Sequence, residues 1–118
     1  MKYLCLIYLE EKSLEALTKG QHEALVAESL AYDDELQKRG HFIVAQALQP
    51  VRAAKSVRTR NGKLSATDGP FAETKEQVGG FILVEARDVD EAIQLAAKIP
   101  VGRFGGIEVR PIQELARP

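Results

Sequence analysis

His22 is the side chain in this sequence best suited to acid–base chemistry, because histidine changes its charge near neutral pH. It lies three residues before Leu25, near the start of a segment with helical periodicity, and so borders the apolar side of that helix. A carboxylate partner would orient the ring and hold its pKa near neutrality, as general acid–base catalysis requires. The alternative is a helix-terminal histidine whose ring is bonded to backbone or water.

A rigid turn in the middle of the chain offers such a carboxylate. The run from Thr67 to Glu76 combines a turn, one aromatic ring and several charged groups. Gly69 permits positive φ and Pro70 fixes its own φ without offering an N–H, so the run cannot continue a helix or a central strand. Asp68 is therefore the candidate catalytic partner of His22. The same residue types are also typical of an ordinary solvated turn.

Charged and aromatic side chains elsewhere are candidates for binding a ligand: Arg58, Phe71, Glu73, Lys75, Glu108 and Arg110. Arg58 belongs to a basic run without acids, which indicates either a solvated hairpin that resists edge pairing or a rim that attracts an anion. Glu108 and Arg110 alternate with apolar residues, so both point off one face of the last strand. They form either an exposed ion pair or part of a polar pocket.

Several classes of site and of protein are not expected. Cys5 is the single cysteine, which excludes an intrachain disulfide and a cysteine cluster for zinc, and we expect it to be a core residue. We predict no metal site and no cofactor. A net charge of −1 argues against nucleic-acid binding. The apolar run at the N-terminus is too short for a signal peptide or a membrane span, so we expect a cytoplasmic protein.

The elements that position these groups follow from the hydrophobic pattern of 118 residues, which we interpret as one domain covering 1–118. Strands are predicted at 3–9, 42–48, 78–86 and 107–112, a hairpin at 56–60 and 63–67 around Asn61-Gly62, and helices at 21–39 and from Asp88 to Pro100. Gly79-Gly80 suggests a bulge or a close backbone approach. The order predicts an α+β fold, a ferredoxin-like βαββαβ sheet with an inserted β-hairpin and both helices on one face.

The strands are apolar on both sides, although two helices can cover only one. In the first strand, Tyr3, Cys5, Ile7 and Leu9 alternate with Leu4, Leu6 and Tyr8. An uncovered apolar face of this size is typical of an interface. We therefore predict a homodimer that packs sheet against sheet. The alternative is that the hairpin folds back over its own sheet, but it has few apolar residues with which to cover it.

The run from Asp68 to Glu76 resembles the DGPF family, a branch of the YCII-related proteins. Further segments fit the same pattern: Met1–Leu4, Gly79-Gly80-Phe81, Asp90-Glu91-Ala92 and Ile107–Ile112. The resemblance implies a dimeric α/β-barrel, in which two ferredoxin-like sheets face each other, and a family without a settled activity. Because some members are encoded beside extracytoplasmic-function sigma factors, it also implies a regulatory link to such a factor.

The wider family contains a dehalogenating enzyme, and the resemblance implies a His/Asp pair as catalytic centre, with His22 at the histidine position. Relatives often carry the acid before the proline that follows the second helix, where this chain has Ile99. Asp33 lies eleven residues from His22, which is ~16 Å along a helix and too far for contact. Asp68 remains the candidate.

We therefore expect a small dimeric binding module that holds a small, anionic molecule in a cleft beside the Asp68–Phe71 turn. The alternatives are a small enzyme that uses His22 and Asp68, and a regulatory adaptor for a sigma factor.

Overall fold

A computed structural model describes residues Met1–Pro118, and its helices and strands follow the order expected from the sequence. The elements are β1 (Lys2–Leu9), α1 (Glu11–Glu15), α2 (Lys19–Lys38), β2 (Phe42–Ala47), β3 (Lys55–Arg60), β4 (Lys63–Asp68), β5 (Gln77–Glu85), α3 (Val89–Ala97) and β6 (Gly105–Pro111). Short 3₁₀ turns cover Val51–Ala53 and Pro100–Phe104. No helix in the chain is both long enough and apolar enough to cross a membrane.

Four strands form one antiparallel sheet in the spatial order β2-β5-β1-β6. Strand β1 is central, between β5 and β6, and β2 lies at one edge. With the two long helices α2 and α3 as connections, this order is that of a ferredoxin-like α+β fold. The α+β architecture expected from the hydrophobic pattern is confirmed.

The hydrophobic core lies between this sheet and the helices α2 and α3. It consists of side chains that alternate along β1 and β5, apolar residues of both helices, and two residues just beyond β5 and α3: Tyr3, Cys5, Ile7, Leu9, Ile82, Val84, Tyr32, Leu36, Ala92, Leu95, Ala96, Ala86 and Ile99. The Tyr32 hydroxyl donates a hydrogen bond of 2.6 Å to the Leu95 carbonyl and so joins the two helices. Burial raises the pKa of Cys5 to about 11, which suits a core thiol and not a nucleophile.

The opposite side of the sheet is also apolar. Residues paired across antiparallel strands point to the same side, and the register places Leu4 opposite Leu83 and Leu6 opposite Phe81. We call the surface formed by Leu4, Leu6, Tyr8, Phe81 and Leu83 the open face. All five side chains are half-buried by their neighbours within the chain, and no helix packs on them.

Two glycine-containing segments, one within β5 and one between β3 and β4, have the geometry that their sequences indicate. The pairing of β1 with β5 shifts by one residue at Gly79, and a Cβ on Gly80 would lie 2.9 Å from the Gln46 carbonyl oxygen. The predicted bulge and close approach are therefore confirmed. Asn61 and Gly62 have φ of 51° and 75°, as a tight hairpin turn of the I′ type requires.

Strands β3 and β4 form a separate two-stranded antiparallel sheet, which we call the arm (Lys55–Asp68). Its residues are exposed apart from the half-buried Ser56, so the arm does not fold back over its own open face. Its base is fixed by a hydrogen bond from the Ser56 hydroxyl to the Gly69 carbonyl (2.8 Å) and one from the Gly69 N–H to the Ala54 carbonyl (2.9 Å).

Candidate functional site

A cavity of about 430 Å³ lies between α2 and the helix-covered side of the sheet. Strands β1, β2 and β5 form its floor, and the segment from Ile99 to Val101 closes one side. Most of its lining is apolar, with contributions from Ile7, Leu9, Leu25, Val26, Leu30 and Leu48. Gly79 and Gly80 also line it, so the bulge in β5 shapes the floor.

Helix α2 contributes three polar side chains to this cavity, His22, Ser29 and Asp33. Their spacings of seven and four residues place them on one side of the helix. The Ser29 hydroxyl oxygen is buried and makes no hydrogen bond within the chain. Because buried hydroxyls are normally hydrogen-bonded, a polar group of a molecule in the cavity would satisfy it.

Asp33 is half-buried at the other end of this row from His22. Burial first, and the neighbouring Asp34 charge second, raise the pKa of the Asp33 carboxyl above its ordinary value. The charged form of Asp33 is therefore disfavoured in the folded protein. A carboxyl held this way is suited to exchange a proton or a hydrogen bond with a bound group.

A capping box fixes the start of α2 and with it the position of His22. The Thr18 hydroxyl accepts a hydrogen bond from the Gln21 N–H (3.1 Å), and the Gln21 side chain accepts one from the Thr18 N–H (2.9 Å). The His22 N–H then donates the first helical bond to the Thr18 carbonyl (2.9 Å). The His22 ring is exposed where it reaches the cavity, so it lies at the mouth.

Asp68 and His22 lie in different parts of the chain. Asp68 forms an ion pair with Lys55 across the arm, and it does not line the cavity. No hydrogen bond or salt bridge joins it to His22 within one chain. Asp33 does line the cavity with His22, but eleven residues of helix separate them by ~16 Å, so they are not a direct pair either.

The remaining candidate residues form two groups outside the cavity. At the base of the arm, the Arg58 guanidinium lies 4.0 Å from the centroid of the exposed Phe71 ring. Nearby, Lys75 forms a 3.4 Å ion pair with Glu10, and Glu73 is exposed.

The second group lies on the side of the sheet away from the helices. The Tyr8 hydroxyl donates to Glu108 (3.3 Å), which also accepts from the Arg110 Nε (2.8 Å). The register pairs Glu108 with Leu6 and Arg110 with Leu4, so this group borders the open face.

Sequence reasoning did not select Ser29 and rejected Asp33 as a partner of His22, although both line the cavity. The buried residues of α2 are Leu25, Tyr32 and Leu36, and the buried Ser29 hydroxyl is the polar exception beside them. The signal that could have found this row is the helical spacing that joins His22, Ser29 and Asp33. No group of three or more histidine, cysteine or acidic side chains in the chain is arranged to hold a metal ion.

Comparisons with known proteins agree with this fold. An uncharacterised protein of Rhizobium meliloti is 33% identical over 114 residues, which cover 95% of this chain and 92% of that protein. A solved structure of 5-chloro-2-hydroxyhydroquinone dehydrochlorinase from Burkholderia phenoliruptrix, in complex with 2,5-dihydroxybenzoquinone, superimposes with a TM-score of 0.56. It is 18% identical, and the match covers 96% of this chain and 94% of that one, so the likeness shows a shared fold.

The family model of the YCII-related domain matches residues 1–116, which is nearly the whole chain. The match includes all nine helices and strands of the fold, the cavity beneath α2 and the arm. This protein therefore belongs to the family of YCII-related proteins.

Proposed function

We propose that this protein binds a small, mainly apolar ring that carries one or two hydrogen-bonding groups, in the cavity beneath α2. The observation that carries the proposal is a 430 Å³ cavity with an apolar lining and a buried Ser29 hydroxyl that has no partner in the chain. A volume of this size is within the range of small-molecule sites, which are mostly apolar with a few polar groups.

The lining favours an uncharged ring over an anion. The cations that the sequence suggested for an anionic ligand are Arg58, Lys75 and Arg110, and none of them lines the cavity. Asp33 would repel an anion and could accept a hydrogen bond from a phenolic hydroxyl. The complex of the Burkholderia neighbour with 2,5-dihydroxybenzoquinone supports a ring of this size as an occupant of the fold. A cleft beside the Asp68–Phe71 turn is therefore the less favoured site.

A second candidate function is proton transfer on the bound ring by His22. The observation that favours it is the position of this imidazole at the mouth of the cavity, where it could reach a substituent. Pairing of His22 with Asp68 would need Asp68 from another subunit, because Asp68 lies on the arm and outside the cavity of its own chain.

We further propose that the protein is a homodimer through its open face, and that it belongs to the DGPF branch on account of the run from Asp68 to Glu76. The apolar open face supports the first of these proposals. The sigma-factor adaptor is a proposal from family resemblance alone.

Isothermal titration with hydroquinone, and with benzoate as an anionic ring of similar size, tests the proposed site. We expect hydroquinone to bind the wild-type protein and benzoate to bind more weakly. Ser29→Leu fills the cavity and removes the hydroxyl, so it should abolish binding. Glu23→Gln, on the same helix but outside the cavity, should leave binding unchanged.

Hydroquinone binding that survives Ser29→Leu, or benzoate binding that is tighter and is lost in Arg58→Ala, would contradict the site. His22→Ala separates the two functions. Binding without any chemical change in wild type and variant favours a binding module, whereas conversion of a halogenated hydroquinone that stops in His22→Ala favours an enzyme.

A further inference from the structure

The arm is amphipathic, and its apolar face has no partner in the same chain. The register places Val57 opposite Ala66 and Thr59 opposite Leu64 on one face. The other face carries the basic residues Arg58, Arg60 and Lys63. Val57 is 58% exposed and Leu64 is 72% exposed. A two-stranded ribbon with one apolar face is only marginally stable in water, so this face is expected to pack on something.

The arm projects from the domain, and several contacts close its base. Its base is fixed by the bonds of Ser56 and Gly69, by the Lys55–Asp68 ion pair and by the stacking of Arg58 on Phe71. The radius of gyration of the chain is 16.3 Å, whereas a compact domain of this length has about 13.5 Å. A preformed arm loses little conformational entropy when it binds a partner.

The charge of the arm is opposite to that of the rest of the chain. The arm contains four lysines and arginines and one aspartate, which gives a formal charge of +3. The whole chain carries −1, so the remainder carries −4. Opposite charges attract, yet within one chain the arm stands away from the acidic body. A second copy of the chain is the partner whose charge complements the arm.

We infer that the arm is an intersubunit clasp, whose apolar face lies on the body of a second copy of this chain. The inference rests on the proposed homodimer. The surface that fits is the edge strand β2, which pairs with β5 on one side only. Ile43 and Val44 on this strand are 40% and 36% exposed. An edge strand with exposed apolar side chains is a site that proteins normally cover.

Photo-cross-linking between isotopically distinct subunits tests the arm directly. Leu64→Cys is labelled with benzophenone maleimide, and Cys5 can stay because it is buried. Labelled ¹⁵N protein is mixed with unlabelled ¹⁴N protein, allowed to exchange and irradiated. We expect peptides that join a ¹⁵N arm to ¹⁴N β2.

Two outcomes of this experiment overturn different proposals. In the first, the sample sediments as a dimer and yet gives cross-links only within one chain, or only to copurified nucleic acid. That result would overturn the proposed role of the arm but not the proposed dimer. A sample that sediments as a monomer at micromolar concentration would overturn both.

Uncharged substitutions on the two faces of the arm provide a second measurement. Val57→Asn and Leu64→Asn remove apolar contacts, and each should raise the dimer Kd roughly tenfold or more. Ser65→Asn changes the opposite face of the same ribbon and serves as the control. Equal Kd values for all three variants would contradict the clasp.

Discussion

The open face provides the sharpest test of the proposed assembly, through the substitution Leu6→Asp. Leu6 lies on the central strand β1, paired with Phe81 on one side and Glu108 on the other. In a single chain its side chain is half-buried and borders solvent, so an aspartate there would remain hydrated and the fold should survive. In a dimer that packs sheet against sheet, the same aspartate would be buried.

The size of the effect follows from the area that the leucine would bury. Full burial of such a side chain is worth about 1.5–3 kcal/mol, but Leu6 is already half-buried in its own chain, so the dimer adds at most about half of this. Two-fold symmetry places two copies in the interface, so the loss is about 1.5–3 kcal/mol, which raises the dimer Kd by roughly 10 to 10². Burial of the carboxylate would add to this value, so the range is a lower bound.

Sedimentation equilibrium over a range of protein concentrations measures this change, and circular dichroism checks that Leu6→Asp stays folded. Val89→Asp is the matched control, because Val89 is an exposed apolar residue on α3, away from the open face. The reasoning is refuted if Leu6→Asp dimerises as tightly as the control. A wild-type protein that is monomeric at micromolar concentration would refute it equally.

Three further predictions concern stability. Tyr32→Phe removes the bond to the Leu95 carbonyl and should lower the free energy of unfolding by about 0.5–1.5 kcal/mol in urea titrations. Burial raises the pKa of Tyr32 from 10.0 to about 12, so the folded state holds this proton more tightly. Wild-type stability should therefore fall as pH rises from about 10 through about 12; an equal fall in Tyr32→Phe would contradict this. Asp33→Asn should raise the melting temperature at pH 7, because the folded protein disfavours the charged carboxyl. That gain should vanish as pH falls below the ordinary value of 3.8, with Glu23→Gln, an exposed acid on the same helix, as the control; a gain that persists there would point to another cause. Gly80→Ala should destabilise by about 1–3 kcal/mol, because its Cβ would meet the Gln46 carbonyl at 2.9 Å. Gly20→Ala, with open space around it, should not destabilise, and equal melting temperatures for the two variants would refute the contact.

The elements of the fold were predictable because each depends on local pattern. The alternation of apolar side chains along β1 predicted that the strand is apolar on both sides, of which one is buried and the other half-buried. Asn61-Gly62 predicted the hairpin turn. The arm is a separate sheet for the same local reason, since its two strands pair only with each other.

The candidate site was less predictable, because a cavity depends on how elements pack over long range. The expected ligand residues are divided between the arm with the turn that follows it and the border of the open face. The cavity lies on the opposite, helix-covered side of the sheet. Only His22 of the candidate residues lines it. Asp33 was set aside because it cannot touch His22, yet two groups ~16 Å apart on one helix can line the same space.

The unequal cover that the two helices give the sheet explains why a cavity exists. Helix α3 places Ala92 and Ala96 against the sheet, and such small side chains allow close approach. Helix α2 packs Leu25, Tyr32 and Leu36 on the core, but the adjacent row carries polar groups where larger apolar residues would close the space. The polar residues of α2 that leave space in the core, His22, Ser29 and Asp33, are thus the ones that could bind a small molecule in the cavity. Sites of this kind commonly trade stability for function. Ser29→Leu should therefore raise the melting temperature while it abolishes hydroquinone binding. A Ser29→Leu variant that neither binds hydroquinone nor melts at a higher temperature than wild type would show that Ser29 serves the packing of α2 instead.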